Sequence, residues 1–384
     1  MKALQKTNLT ILIHSVVMST ALLFSGCGDA QESDTETTKI ALGKALFNDA
    51  NLSFSRNMSC ASCHNPDAGF MDDKDNGVHG AVSLGDDGAS LGDRNSPTVT
   101  YASFIPSLTQ DDTGNFIGGQ FWDGRANTLT DQAKGPFTNS VEMQMPDFAS
   151  VVERLLENDA YAFAMQSIYG DTIFDSDEDA FNALADAIAT FEASDELSTF
   201  DSRYDKAKNR EITLTAQELL GEQLFRDLAC ASCHDDRVVD GELPLFTKFT
   251  YENTGIPKNS EVRLLNGKGD SFVDHGLLDN PDVTDNRQDG RFRTPGLRNV
   301  AVTAPYMHNG KFSDLKTVIH FYNTRDVVDA INPETALGWE DPEVNVNVVG
   351  APRIGNLGLT DAEEEAIVAF LNTLTDERYE SLIP

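Results

Sequence analysis

The clearest apolar periodicity in the chain falls at Leu315, Val318, Ile319 and Tyr322. Their i, i+3, i+4, i+7 spacing predicts a helix opening near Ser313 with these four side chains on its buried face. His320 lies off that face beside Lys316, which assigns it to solvent. A second helix is predicted after Thr360, where Thr360-x-x-Glu363 forms a capping box and Ile367, Phe370, Leu371 and Leu374 share one side. Thr215-x-x-Glu218 opens another in the same way, and a further helical pattern runs from Asp179 to about Phe200. The polar stretch from Asp201 to Arg210 reads as a boundary. Between helices lie Gly/Asp/Asn-rich segments (66–96, 252–292 and 331–358), loops of a length that is usually functional or disordered. No alternating pattern exceeds a short hairpin, so the predicted fold class is mainly α with long loops.

One apolar run is of a different kind. Ile11 to Phe24 follows Lys2 and Lys6 and ends in Ser25-Gly26-Cys27, which makes residues 1–26 a lipoprotein-type signal peptide and Cys27 the candidate lipidated residue. Plain secretory cleavage nearby is the alternative. Residues 27–38 are polar and acidic, as a solvated tether would be. No other segment reaches the roughly 18 apolar residues that span a bilayer. The remainder is expected to be exported and soluble: periplasmic or cell-surface in a Gram-negative bacterium, with the membrane reached only through the lipid. A length of 384 residues suits two domains, placed at 39–205 and 211–384. The 62 acidic against 29 basic residues, net −33, exclude nucleic acid as a partner and favour cations and basic proteins.

The five cysteines divide as Cys27 plus two in each copy of a repeated pentapeptide, CASCH, at Cys60–His64 and Cys230–His234. Exported thiols normally oxidise, yet none is left over for a disulfide. C-x-x-C-H is the attachment signature of c-type haem: Cys60, Cys63, Cys230 and Cys233 form thioethers, and His64 and His234 lie under the irons. A Cys₄ zinc ribbon needs its pairs about 15 to 20 residues apart, far closer than these. A thioredoxin pair needs one copy in a βαβ setting that is missing. Gly43-x-x-Leu46-Phe47 and Gly221-x-x-Leu224-Phe225 precede the two copies, so the chain repeats weakly with each haem. Leading helix, C-x-x-C-H and closing helix are the parts of a cytochrome c fold.

With these motifs the run LGKALF, LSFSRNMSCASCH, RNSPTV, QFWDGRANTLTDQAKGP, NSVEM, LACASCH and FRTPGLRNVAVTAPYMHNGKFSDLKTVIHFYN resembles the bacterial di-haem cytochrome c peroxidase and MauG family, in the family's order over nearly the whole chain. The resemblance implies two cytochrome c-like domains, each with one covalently bound haem, and a Ca²⁺ between them. It implies that the N-terminal haem reacts with H₂O₂ and that the C-terminal one relays or stores electrons. It places the catalytic glutamate on Glu142, the pocket glutamine on Gln132 and an electron-carrying indole on Trp122. Calcium falls to the Asn95 side chain and the carbonyls of Thr303 and Pro305, all hard oxygen donors. On residue type alone Glu142 is one of many surface acids, Trp122 is core, and the calcium trio is turn chemistry.

The family's peroxidases ligate the second iron with a methionine fourteen residues after the histidine of PYFH. Here PYMH ends at His308, and the matching position holds Tyr322. A phenolate stabilises oxidised iron where a thioether raises the potential, and tyrosine is the MauG-type choice. A buried core tyrosine is the alternative. Peroxidases also carry a switchable histidine ligand after the first C-x-x-C-H. His79 is near that place, but the segment from Gly80 to Asp93 blurs the register, so switch ligand and surface residue both stand. The favoured reading is a di-haem oxidoreductase using H₂O₂ to build a high-valent state shared by both haems and to oxidise a protein residue. The alternatives are a cytochrome c peroxidase fed by a small cytochrome or cupredoxin, and a non-enzymatic di-haem electron-transfer protein.

Overall fold

The computed structural model describes residues 28–237 and 243–384. The signal peptide and Cys27 lie outside the described residues. Helices dominate: α1 (Gly28–Phe47), α2 (Cys60–Cys63), α3 (Leu129–Thr138), α4 (Phe148–Leu156), α5 (Asp159–Tyr169), α6 (Asp177–Glu192), α7 (Arg203–Lys208), α8 (Ala216–Asp227), α9 (Ser260–Leu265), α10 (Leu315–Thr324) and α11 (Asp361–Asn372). Strands are two-residue antiparallel pairs: β1 (Thr109–Gln110) with β2 (Phe116–Ile117), β3 (Tyr251–Glu252) with β4 (Phe292–Arg293), and β5 (Ile331–Asn332) with β6 (Leu337–Gly338).

Among the described residues two large hydrophobic cores form, with two smaller clusters beside them. One packs α1, α3, α4, α5 and α6 around Phe47, Phe137, Phe181 and Phe191. The other packs α8, α10 and α11 around Phe225, Phe321 and Phe370. The weak sequence repeat explains their likeness. Gly43 lies so close to α6 that a Cβ there would meet the Ala187 carbonyl oxygen at 1.9 Å, and Gly221 stands in the same relation to Ala366 of α11, also at 1.9 Å. In both halves the glycine lets a leading helix touch the backbone of its closing helix, and Phe191 or Phe370 flanks the crossing.

The capping boxes at Thr215/Glu218 and Thr360/Glu363 are both present. The helix expected near Ser313 opens at Leu315, because the Asp314 side chain caps it by accepting from Thr317 N. The helix expected to run to about Phe200 stops at Glu192, where Ser194 turns its hydroxyl onto the Phe191 carbonyl at 2.7 Å, and a 3₁₀ turn follows at Asp195–Leu197. The acidic segment expected as a tether is helical within α1, with Asp34–Thr38 exposed.

The Asp201–Arg210 stretch differs most from expectation. It forms α7, with Ser202, Tyr204 and Asp205 buried. Asp205 pairs with buried Arg298 at 2.5 Å, and Tyr204 packs edge-on to Phe246. Its polarity serves an internal ion pair, so the stretch read as a boundary is a helix anchored in the second core.

Candidate active site

The two CASCH segments close alike. His64 N donates to Cys60 O at 2.9 Å and His234 N to Cys230 O at 2.9 Å, so each pentapeptide is one tight turn presenting both thiols and the imidazole together. His234 Nδ1 bonds the Phe246 carbonyl at 2.9 Å, and His64 Nδ1 lies 3.3 Å from the Phe70 carbonyl. An Nδ1–H held by a carbonyl leaves the lone pair on Nε2. Burial lowers the pKa of both rings, that of His234 to about 4, which keeps them in the neutral form that ligates metal. Burial also holds the thiols protonated, Cys63 and Cys230 up at about 11.

Beside the first segment, Glu142 sits half-buried on the turn after α3, its carbonyl accepting from Asp86 N at 2.8 Å. Burial raises its carboxyl pKa while Arg125 pulls the other way, and its charge is felt at both Cys60 and Cys63. Gln132 is half-buried on the first turn of α3.

Beside the second segment lies a cavity of about 210 Å³ with largely aliphatic and aromatic walls, lined by Cys230, Cys233, His234, Trp122, Met307 and Tyr322 among others. Helix α10 aims Tyr322 into this cavity, and burial pushes its phenol up to about 12. Its hydroxyl lies 3.9 Å from Met307 Sδ. His320 is not in solvent: its Nδ1 meets buried Glu364 of α11 at 2.8 Å. The cause is a facing helix that sequence spacing does not reveal.

Trp122 joins the two sites. Its Nε1 donates to Asn95 O at 2.9 Å, and the next residue, Ser96, brings its hydroxyl within 3.4 Å of His64 Nδ1. The same tryptophan lines the cavity of the second segment. Arg94 clamps this junction, bonding Asp274 through Nε and Nη2 at 2.7 Å each and Asp123 at 2.6 Å. The Asn95 amide nitrogen turns to Ala81 O at 3.2 Å, which leaves Oδ1 as an acceptor; Thr303 precedes the cis Ala304–Pro305 bond and Pro305 completes it. His79 is 83% exposed, facing Asp75 and Glu261, and its neighbours Val78, Ala81 and Val82 are packed in a small apolar cluster with Val262. That packing holds the ring outward.

The chain is 45% identical over 368 residues to the methylamine utilization protein MauG of Paracoccus denitrificans, covering 94% of this chain and 95% of that one. The chain belongs to the di-haem cytochrome c peroxidase/MauG family. The family profile described as di-haem cytochrome c peroxidase matches residues 37–213. Cytochrome c551 peroxidase of Pseudomonas aeruginosa is 33% identical over 301 residues, 76% of this chain and 74% of that one. The structure of the diheme peroxidase BthA from Burkholderia thailandensis superposes with a TM-score of 0.80 at 33% identity, covering 90% of this chain and 88% of BthA. The protein is thus an enzyme of an oxidoreductase family whose members carry two haems c. Its own residues fit such a group at the second segment: an apolar cavity, paired thiols and a neutral imidazole meet there.

Sequence reasoning missed two features of this di-haem site. Arg94 stands in the run RNSPTV, but nothing in that run names its partners, Asp123 and Asp274, which are far along the chain. Met307 did leave a signal, because it stands where the family's PYFH has phenylalanine.

Proposed function

We propose that this is a MauG-like di-haem enzyme that draws oxidising equivalents from H₂O₂ near His64 and passes them to a residue of a protein substrate. The observation that carries the reading is the placement of Tyr322 in the cavity of the second CASCH, on a helix whose register aims it there. Cys60, Cys63, Cys230 and Cys233 would hold the two haems by adding S–H across their vinyl double bonds, and His64 and His234 would present a lone pair to iron. When bound, haem supplies the redox-active iron at which H₂O₂ is cleaved and in which oxidising equivalents are held.

Glu142 accepts a proton from the H₂O₂ oxygen nearer the iron and returns it to the departing oxygen as water. Gln132 orients the peroxide beside it. Trp122 carries electrons between the sites, its indole fixed by the Asn95 carbonyl. Tyr322 provides the hard, anionic ligand that favours oxidised iron. Asn95 Oδ1 and the Thr303 and Pro305 carbonyls would hold a Ca²⁺, whose charge would stiffen the junction. His79 is a surface residue with no ligand role, so H₂O₂ reacts without prior reduction. The domains divide upstream of α7, at about residue 201, and the protein is exported, periplasmic or cell-surface, anchored at Cys27. Among the described residues no helix is long and apolar enough to cross a membrane.

A second reading, peroxide removal with electrons from a small basic redox protein, is favoured by the net charge of −33. Mixing the diferric protein with stoichiometric H₂O₂ separates the two. A long-lived state two electrons above diferric, lost in Tyr322→Met, is expected. Reaction only after half-reduction, with steady turnover of a ferrocytochrome, would sink the MauG-like reading.

A further inference from the structure

Tyr322 is not alone at its end of the cavity. Its hydroxyl is 3.9 Å from Met307 Sδ, and both side chains line the walls beside Cys230, Cys233 and His234. Two residues able to ligate the same iron therefore stand within one atom's reach of each other, and they are opposite in kind. A phenolate is hard and anionic and favours ferric iron, while a thioether is soft and neutral and favours ferrous iron.

The backbone at Met307 is unusual. Its φ is +75°, in the left-handed region that residues other than glycine rarely adopt. The turn around it is pinned on every side. Tyr306 N donates to Phe312 O at 2.6 Å, and Gly310 N donates to Met307 O at 3.2 Å. Asn309 Nδ2 donates to Pro257 O at 2.9 Å, while His308 stacks on Phe292 with ring centroids 3.5 Å apart. Strained backbone held this firmly is concentrated at functional positions, and here it directs a thioether into the cavity lined by His234 and both thiols. Methionine is also the side chain best able to swing, with three rotatable bonds behind the sulfur.

Resting on the reading that Tyr322 ligates the oxidised iron, we propose that Met307 is a second, alternative ligand of the same iron and replaces Tyr322 on reduction. The step balances. One electron from a small redox protein, a ferrocytochrome or reduced cupredoxin, reduces Fe(III) to Fe(II), the iron–oxygen bond to Tyr322 breaks, the phenolate takes one proton from solvent, and an iron–sulfur bond to Met307 forms. Reoxidation reverses each change.

The test is a redox titration of the holoprotein followed by absorption and magnetic circular dichroism. Oxidised wild type is expected to show tyrosinate ligation and reduced wild type a low-spin, sulfur-ligated C-terminal haem. Met307→Leu keeps the oxidised spectrum and leaves the reduced haem five-coordinate and high-spin. The ferrous state loses at least tenfold in stability, a fall in midpoint potential of about 59 mV. Tyr322→Phe gains a sulfur-to-iron charge-transfer band in the ferric state, which Tyr322→Phe/Met307→Leu loses. Should the variants fail to assemble, X-ray absorption of wild type decides: an iron–sulfur shell appears on reduction and is missing when oxidised. An unchanged reduced spectrum in Met307→Leu, or no sulfur shell in reduced wild type, overturns the proposal. Absence of a tyrosinate signature in oxidised wild type overturns the Tyr322 reading instead, so the two failures are distinct.

Discussion

Burial acts on two glutamates of the N-terminal half with different consequences. The Glu142 carboxyl is raised by burial against a weaker pull from Arg125. In the proposed role of base it works only when ionised, so the rate of reaction with H₂O₂ should fall as pH drops through a value above the usual carboxylate range. Stopped-flow pH profiles should show that limb, and Glu142→Gln should slow the reaction by about 10² to 10⁴-fold with haem content unchanged.

Glu192, on α6, is 4% exposed with Oε2 unpartnered, and burial alone lifts its pKa to about 8 from 4.5. Its folded-state pKa is the higher one, so its share of stability is complete below pH 4.5 and is lost as pH rises through 8. The slope approaches about 1.4 kcal/mol per pH unit at most. Glu192→Gln should flatten that alkaline decline in denaturant titrations at pH 6 and pH 9, gaining most at the higher pH. Neither residue's environment can be read from its neighbours in sequence. Tyr322 was legible because helical periodicity alone fixed its face, whereas His320 was misplaced because its partner, Glu364, sits on another helix.

Among elements, the paired crossings of α1 with α6 and of α8 with α11 are the most sequence-determined feature. A glycine three residues before Leu-Phe appears twice because twice a helix backbone must touch a carbonyl oxygen. Gly221→Ala would place its methyl 1.9 Å from Ala366 O, and a backbone atom cannot rotate away as a side chain would. Destabilisation of at least about 1–3 kcal/mol is expected, seen as a lowered Tm with loss of second-site haem first. The capping boxes were legible for the same local reason, since three residues suffice to define them. Helix α7 was not. Ser202 and Asp205 look like linker polarity, and only Arg298 folded onto them makes a buried network.

At the scale of the whole molecule, the halves are held by contacts with no sequence signature. Arg94 reaches from the segment after the first CASCH to Asp274 of the C-terminal half, 2% exposed, and to Asp123, 5% exposed. Removing one member of a buried ion pair strands the others, so Arg94→Ala should lower stability by about 3–5 kcal/mol in equilibrium unfolding. Slower electron exchange between the two sites should accompany it, since Asn95 and Trp122 flank the clamp.

A second tie runs the other way. After α11 the chain crosses back: Asp376 accepts from Tyr101 Oη at 2.6 Å and from Asn299 Nδ2 at 2.8 Å. Tyr379 then enters the first core and bonds Pro66 O at 3.0 Å, across a separation of 313 residues. The first core, begun by α1, thus takes its last side chain from a segment made after everything else that packs there. A chain interrupted anywhere between the two leaves the Pro66 carbonyl and the Tyr101 hydroxyl without these partners, and the first core stays unfinished. Folding of the first core therefore waits on residues that follow α11, so the two halves reach their native packing together.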